Sequence, residues 1–327
     1  MTPRIVIDCA GAKVGGAARF LRELQTYLAQ HHHPAVELIG LGRQLTPQWL
    51  VERELLAATA TKRVSLNNVG FMNPRGENIT LLRNILQFAT ATDFQRLNFV
   101  PSRRLRVQSP VVRTLAKASR TLVVPCTRMA EHVARTSPHL RDKLVVRFHP
   151  ITQPTWAGTT PHKPRHVLLP VIPSPYKHLD EHVAEFLAAT QTIPGAPIHL
   201  IIPALAEDLP EIVGHPRVQL IGPQSSEALE TWWQNCGAIF FPTVFEAFGY
   251  PLAEGRVYGR HVIAQHTPQN HEIAGPALCA YTRHDQTSLR DAIITAVATV
   301  PQPDPAPFNP NDYFQWLLHD SAVATHP

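Results

Sequence analysis

The run Ala238-Ile-Phe-Phe241, closed by Pro242-Thr243 and followed by Gly249-Tyr-Pro251, restricts the possible folds of this chain more than any other stretch. Four consecutive apolar residues leave no polar face for water, so the strand they form is buried. A turn at Pro242-Thr243 ends it, and Gly249 with Pro251 suits the start of a helix from about Pro251. Open α/β sheets bind ligands in the crevice at the carboxyl ends of such strands. Two acids fall there, eight positions apart: Glu246 in the loop and Glu254 in the first turn of the helix. Carboxylates so placed suit the hydroxyl groups of a sugar and a ribose. Taken alone, the pair has a plainer reading, in which Glu246 caps the helix and Glu254 complements its dipole.

The same alternation runs through the chain. It opens with a strand at 5–7, a loop Gly11-Ala-Lys-Val-Gly-Gly16, and a helix marked by Phe20, Leu21, Leu24 and Leu28, a stripe at helical spacing. The loop glycines let backbone amides approach a phosphate or sugar at the helix N-terminus, although the dinucleotide fingerprint Gly-x-Gly-x-x-Gly is absent. Strands are expected at 36–41, 64–66, 121–124 and 143–148, a strand-to-loop segment at 78–86, and a helix at 47–58. Ser109-Pro110 reads as a helix start, with Ser as cap and Pro as first residue. Residues 150–165 hold several prolines and no periodicity, as a linker does. A second α/β unit follows, with strands at 166–169, 199–202 and 218–221, a helix through Phe186 and Leu187, and another at 227–235. After the proline-rich 300–310, residues 311–319 carry enough apolar surface to dock as a helix.

At 327 residues the chain exceeds the usual size of one core, so two domains are expected. No apolar stretch approaches the length of a membrane span, and the N-terminus reads as a strand rather than a signal peptide; the expectation is a cytoplasmic protein. Four scattered cysteines without a C-x-x-C pair point to buried apolar roles, not to metal or disulfides. His31-His32-His33 is either a metal tract or, as favoured here, a solvated helix C-terminus. Residues 1–150 hold 22 Lys and Arg against 9 Asp and Glu, a balance of +13, and the remainder holds 8 against 16, a balance of −8. Nucleic acid is one target for the basic half, yet no recognition motif accompanies it. An anionic acceptor or a negatively charged membrane surface fits at least as well, and so does an ordinary solvated face.

The opening run extends through Gly255-Arg-Val-Tyr-Gly-Arg-His-Val-Ile-Ala264 to Thr267-Pro-Gln-Asn-His-Glu-Ile-Ala-Gly275. About 35 residues, in order and with spacing kept, resemble the C-terminal signature of the retaining glycosyltransferases of family 4. The resemblance implies the GT-B fold, with two Rossmann-like, doubly wound parallel-sheet domains facing across a cleft. Residues 1–150 would form the N-terminal acceptor-binding domain and 151–308 the nucleotide-sugar-binding domain, while 309–327 would form a helix packing back on the first domain. The implied activity moves a hexose-type sugar from a nucleotide-diphosphate sugar to an acceptor hydroxyl without metal or cofactor. Glu246 would then bond the donor sugar and Glu254 the ribose. Ala247, Phe248 and Gly249 would offer backbone amides, and Gly222 would lie near the nucleobase. Lys177, in Pro173-Ser-Pro-Tyr-Lys-His-Leu-Asp180, resembles the family's phosphate-binding lysine; by itself a lysine before a helix is more often a surface charge. Gly15 and Gly16, followed by Arg19, match the family's Gly-Gly loop and arginine-bearing helix.

The chain also departs from the family pattern. Val171-Ile172 stands where relatives carry Gly-Arg, so the diphosphate needs another base, and Arg83 is the candidate. The His-Asp pair of many relatives is missing from the first half, where Arg83-Asn84 is the nearest analogue and reads equally well as a helix-start pair. Glu246, Lys177 and Arg83 are therefore the catalytic candidates, with Arg19 and Asn84 on the acceptor side and Glu272 mainly structural. The expected partners are a nucleotide-sugar donor and an acceptor that is anionic, lipid-linked, a glycan or a small molecule. The basic N-terminal domain would touch the inner face of the membrane, and nucleic acid is not expected. Two rivals remain: an epimerase or hydrolase acting on nucleotide sugars, and a non-catalytic protein that binds them.

Overall fold

The computed structural model describes residues 4–73 and 75–320. Their contacts divide the chain into one unit of Met1–Ile151, Glu246–Phe248 and Phe308–Pro327, and a second of Thr152–Phe245 and Gly249–Pro307.

The first unit is built on β1 (Ile5–Asp8), β2 (Val36–Ile39), β3 (Lys62–Ser65), β4 (Glu77–Leu81), β5 (Thr121–Val124) and β6 (Leu144–Val146), all parallel in the order β2-β1-β3-β4-β5-β6. Successive side chains of a strand point to opposite faces, and β1 shows the consequence. Ile5 and Ile7 join Phe20, Leu24 and Tyr27 of the helix Gly15–Gln30 in one core. Val6 joins Trp49, Ala57 and Phe71 in another.

The helix Pro310–Gln315 and the turn Trp316–Asp320 add Tyr313, Phe314, Leu317 and Leu318 to the first of these cores. Asn309 starts this helix by accepting hydrogen bonds from the amides of Asn311 and Asp312, with Pro310 in the first turn, where its missing N–H costs nothing. Lys62 secures its end by donating to the Leu318 carbonyl at 3.1 Å. Residues 321–327 of the expected C-terminal segment lie outside the described residues.

The second unit is built on β7 (Lys163–Leu168), β8 (His199–Ile202), β9 (Val218–Leu220), β10 (Cys236–Phe241), β11 (His261–Gln265) and β12 (Leu278–Tyr281), also parallel, in the order β12-β11-β10-β7-β8-β9. The order reverses between β10 and β7, the place where doubly wound sheets hold ligands. Every residue of β10 is buried. Its register against β7 shifts between Cys236 and Ala238, and a side chain on the intervening Gly237 would sit 1.8 Å from the Pro164 carbonyl oxygen. Glycine is what allows the two backbones to approach there.

Two expectations are corrected. Ser109-Pro110 does not begin a helix: the helix is Arg103–Leu115, capped by Ser102, whose hydroxyl accepts from the Leu105 amide at 3.2 Å. Pro110 lies inside it on the exposed side, and the Ser109 hydroxyl donates back to the Leu105 carbonyl at 2.8 Å. An earlier cap and the buried Val112 outweigh one missing backbone bond. The histidine tract does follow a helix end, but it is not simply solvated. His31 and His33 stack on Tyr27 at 4.4 and 5.3 Å, and His33 also packs against His319 at 5.5 Å.

One buried histidine makes the second unit acid-sensitive. His182, on the helix Leu179–Gln191, lies 3.7 Å from Glu185. Burial first, then the charges of Arg283, His178 and His284, lower its pKa from 6.5 to about 4, against a smaller opposing pull from Asp180. The unfolded chain therefore binds this proton at a higher pH than the folded one does. The stability is intact above pH 6.5 and falls as the pH drops toward 4, by about 3 kcal/mol for this one group. Denaturant melts across that range should show the loss, and His182→Gln should flatten it; an unchanged slope would clear His182.

Candidate active site

The second unit contributes the loops that leave β7 and β10. After β7, the Leu169 amide donates to the Ile201 carbonyl and Val171 turns back on Leu169. A 3₁₀ turn Pro175–Lys177 follows, and the left-handed His178 (φ 45°) leads into the helix Leu179–Gln191. Lys177 is half-buried, with Nζ 5.8 Å from the Tyr176 ring centroid. Asp180 and Glu181 occupy the first turn of that helix and offset its N-terminal charge. Ile172, in the place of the family arginine, is 62% exposed and has no side-chain donor.

After β10, the Pro242 carbonyl accepts from Gln265 at 2.8 Å. The Thr243 hydroxyl is buried and bonds to no described residue. Gly249 (φ 82°) precedes the helix Tyr250–Tyr258, which has Pro251 in its first turn. A side chain on Gly249 would meet the Phe241 ring and Leu252 at 3.0 Å, and its left-handed backbone favours glycine independently. The expected first-turn place of Glu254 is therefore corrected, and the plainer reading loses both its cap and its first-turn acid. Gly249 stands at the cap position, the first turn holds no acid, and the half-buried Glu254 is the fifth residue of the helix. Because β10 pairs with β7, through Ala238 with Val167 and Ile239 with Leu168, the strands preceding Lys177 and Glu254 are neighbours. Gly222 (φ 68°) follows β9, two strands from β7, and its amide donates to Ala204 at 3.2 Å.

The first unit contributes a different group. Its helix Gly15–Gln30 has Val14 at the cap position, no side-chain cap and no acid in the first turn. Gly15 (φ 58°) and Gly16 are exposed, so the amides that begin this helix face outward with the positive end of its dipole. Arg19 pairs with Glu23 along the helix at 3.4 Å. The Arg83 amide donates to the Asn68 side chain, and its guanidinium donates to the Leu66 carbonyl and lies 4.9 Å over the Phe20 ring. Asn84 accepts from the Leu86 amide at 3.1 Å and caps the short turn Ile85–Phe88. The helix-start reading of Asn84 thus accounts for its side chain.

His149 is the centre of this group. Burial, with the Arg83 charge, holds its pKa well below the usual imidazole range, so the ring is neutral. It meets Phe20 edge-on at 5.4 Å and Phe248 at 5.0 Å. The Cys126 thiol donates to the Ala247 carbonyl at 3.2 Å, and Phe248 also packs against Phe148 and Phe308. Glu246, half-buried, is therefore tethered through the two residues that follow it. Buried Tyr313 completes the neighbourhood, meeting the Phe20 ring edge-on at 5.5 Å. Sequence reasoning missed Asn68, His149 and Tyr313. The Asn67-Asn68 pair was a turn signal, whereas nothing in the residues around His149 marked its surroundings. Among the described residues, no three His, Cys, Asp or Glu side chains are grouped to hold a metal ion.

No protein-family model matches the chain, and no curated protein does. Solved structures match it along nearly its whole length. WaaG, a glycosyltransferase involved in lipopolysaccharide biosynthesis, is 13% identical with a TM-score of 0.61 over 97% of this chain and 96% of its own. The chain has the GT-B fold. AviGT4, a glycosyltransferase involved in avilamycin A biosynthesis, is 14% identical with a TM-score of 0.61 over 98% and 99%. The pneumococcal O-GlcNAc transferase GtfA, solved in complex with UDP and GlcNAc, matches at 14% identity and 0.53 over 76% of this chain and 52% of its own.

Proposed function

We propose that this GT-B protein is a retaining, metal-independent glycosyltransferase of family 4, moving a hexose-type sugar from a nucleotide-diphosphate sugar to an acceptor hydroxyl. The observation that carries the reading is the ordered run 241–275, which begins at the last residue of β10, a strand at the strand-order reversal of the second unit. That a GT-B neighbour was solved with UDP and GlcNAc is in keeping with it.

In this reading Glu254 holds the ribose, Glu246 the sugar hydroxyls, and the amides of Ala247 to Gly249 the sugar or phosphate. Gly222 adjoins the base. The acceptor oxygen bonds the anomeric carbon on the face from which the diphosphate leaves. The C–O bond to the diphosphate breaks, and a departing phosphate oxygen takes the acceptor proton. Lys177 stabilises the charge that builds there. Arg83 and the open N-terminus of the Gly15–Gln30 helix are the candidates for the work of the absent arginine. Arg19 and Asn84 belong to the acceptor side, although both side chains already have partners within the first unit. The acceptor is anionic or lipid-linked, as the basic first half suggests, and the protein acts in the cytoplasm at the membrane's inner face. No described helix is long and apolar enough to cross a membrane.

A panel of nucleotide sugars screened by thermal shift identifies the donor, since a ligand that binds only the native state raises the melting temperature. Product is then assayed with and without acceptor. Sugar transfer supports the reading, release of free or epimerised sugar replaces it with the hydrolase or epimerase, and binding without turnover reduces it to a sugar-nucleotide-binding protein. Exposed Ile172 is the observation that favours this last alternative. Lys177→Ala should weaken donor binding by roughly 10- to 100-fold, the loss of one charge-assisted bond; unchanged affinity would remove Lys177 from the site.

A further inference from the structure

One long stretch of the first unit carries basic residues and no acid. Between Asp93 and Glu131 there are eight Lys and Arg residues and no Asp or Glu. Most of the exposed ones lie on or beside the helix Arg103–Leu115, a surface helix that buries Val112. On the side away from Val112, Arg103, Val107 and Val111 follow one another four residues apart and so share a face. Val107 is 69% exposed and Val111 43%, and Val100, just before the helix, is 79% exposed. Arg104 and Arg106 flank this stripe and are exposed as well. Arg113 does not belong to it, because its guanidinium is committed to the Gln87 and Ala89 carbonyls. Among the described residues, Arg103 and Arg104 make no ion pair, and Arg106 donates only to the Pro101 carbonyl, at 2.9 Å.

Single exposed valines are ordinary. Three within twelve residues, framed by arginines and with no acid near them in sequence, present apolar and cationic chemistry on one side. Such a face matches the boundary of an anionic bilayer, where apolar side chains enter the acyl edge and guanidinium groups bond lipid phosphates. This stripe lacks the aromatic side chains on which single-stranded bases stack.

We infer that the Val100–Arg106–Val111 face of the first unit docks on anionic phospholipid membranes. The inference rests on the proposed lipid-side acceptor reading, yet vesicle binding is measured apart from turnover. Docking brings the first unit to the surface where a lipid-borne anionic acceptor resides. Each arginine near such a surface strengthens partitioning by about fivefold.

The test is co-sedimentation of the full chain with phosphatidylcholine–phosphatidylglycerol vesicles, with phosphatidylcholine vesicles, and with generic duplex DNA, at low and high salt. Binding to the anionic vesicles alone, weakened by salt, is expected. Replacing Arg103, Arg104 and Arg106 together by Gln should lower it by on the order of 100-fold. Val107→Asp should also release the protein while leaving its melting temperature and donor-induced thermal shift in place. Failure to bind anionic vesicles overturns the inference, as does binding that neither variant disturbs. Tighter binding to the duplex than to the vesicles, indifferent to Val107→Asp, overturns it in favour of a nucleic-acid surface. A donor shift without vesicle binding rejects this face alone, whereas vesicle binding without donor binding or turnover rejects the enzyme reading alone.

Discussion

Glu246→Gln is expected to lower sugar transfer by roughly 10²- to 10³-fold, the usual cost of deleting one preorganised group at a reacting centre. The change keeps size and polarity and removes the charge. What makes a large effect expected is the support behind the residue. The Ala247 carbonyl is held by the Cys126 thiol, and Phe248 is packed among His149, Phe148 and Phe308. A side chain tethered this closely has little freedom to find a substitute geometry, and a loop so anchored suits a group that must be placed within a fraction of an ångström. Steady-state rates with the identified donor, beside a melting curve, provide the check. Turnover within about threefold of the parent, at unchanged stability, would remove Glu246 from the reacting centre.

Asp8→Ala is expected to destabilise the protein by about 3–5 kcal/mol, because it strips a buried guanidinium of its closer counter-charge and leaves only Glu54, at 3.9 Å. Asp8, at the carboxyl end of β1, is fully buried and accepts four hydrogen bonds: from the Ala10 amide at 3.0 Å, Trp49 at 3.1 Å, Arg53 at 2.7 Å and Asn67 at 2.7 Å. Arg53, equally buried, also donates to the Val69 and Gly70 carbonyls and lies 4.4 Å over the Phe71 ring. The penalty comes from stranding one partner, so Asp8→Leu combined with Arg53→Met should cost much less than either change alone. Denaturant melts of the two single variants and the pair form the cycle. Additive losses would show that the two residues do not act as a pair.

These two acids mark the boundary of what is legible in the residues. Asp8 ends a buried strand and Glu246 lies in the loop after one, at the carboxyl edge where α/β sheets bind ligands. For Glu246 the neighbouring residues supply the expectation, because an ordered run of about 35 positions carries far more information than a single acid. Nothing around Asp8 announces that Trp49, Arg53 and Asn67 will converge on it, since those partners lie 41 to 59 residues away. Arg53 and Arg83 are likewise indistinguishable as letters. One is committed to a buried carboxylate, while the other is held by the Leu66 carbonyl beside the Phe20 ring and His149.

Local chemistry was enough for some of the elements. Apolar runs produced β5 and β8 at their expected residues, and Pro47 and Pro251 fell in first turns as their fixed backbone requires. A start that failed, Ser109-Pro110, is instructive: a Ser-Pro pair permits a helix start without demanding one, and Ser102 seven residues earlier began the helix instead. By itself, then, the sequence determined where several of the strands and helices form and which loop carries the candidate acids, because periodicity, caps and turn residues act over a few positions. Only the tertiary structure decided that the strands run β2-β1-β3-β4-β5-β6 in one sheet and β12-β11-β10-β7-β8-β9 in the other, and that Phe20, Arg83, His149 and Tyr313 form one neighbourhood. Those choices depend on burying apolar faces and compensating buried charges between distant residues, and no short stretch of chain encodes them.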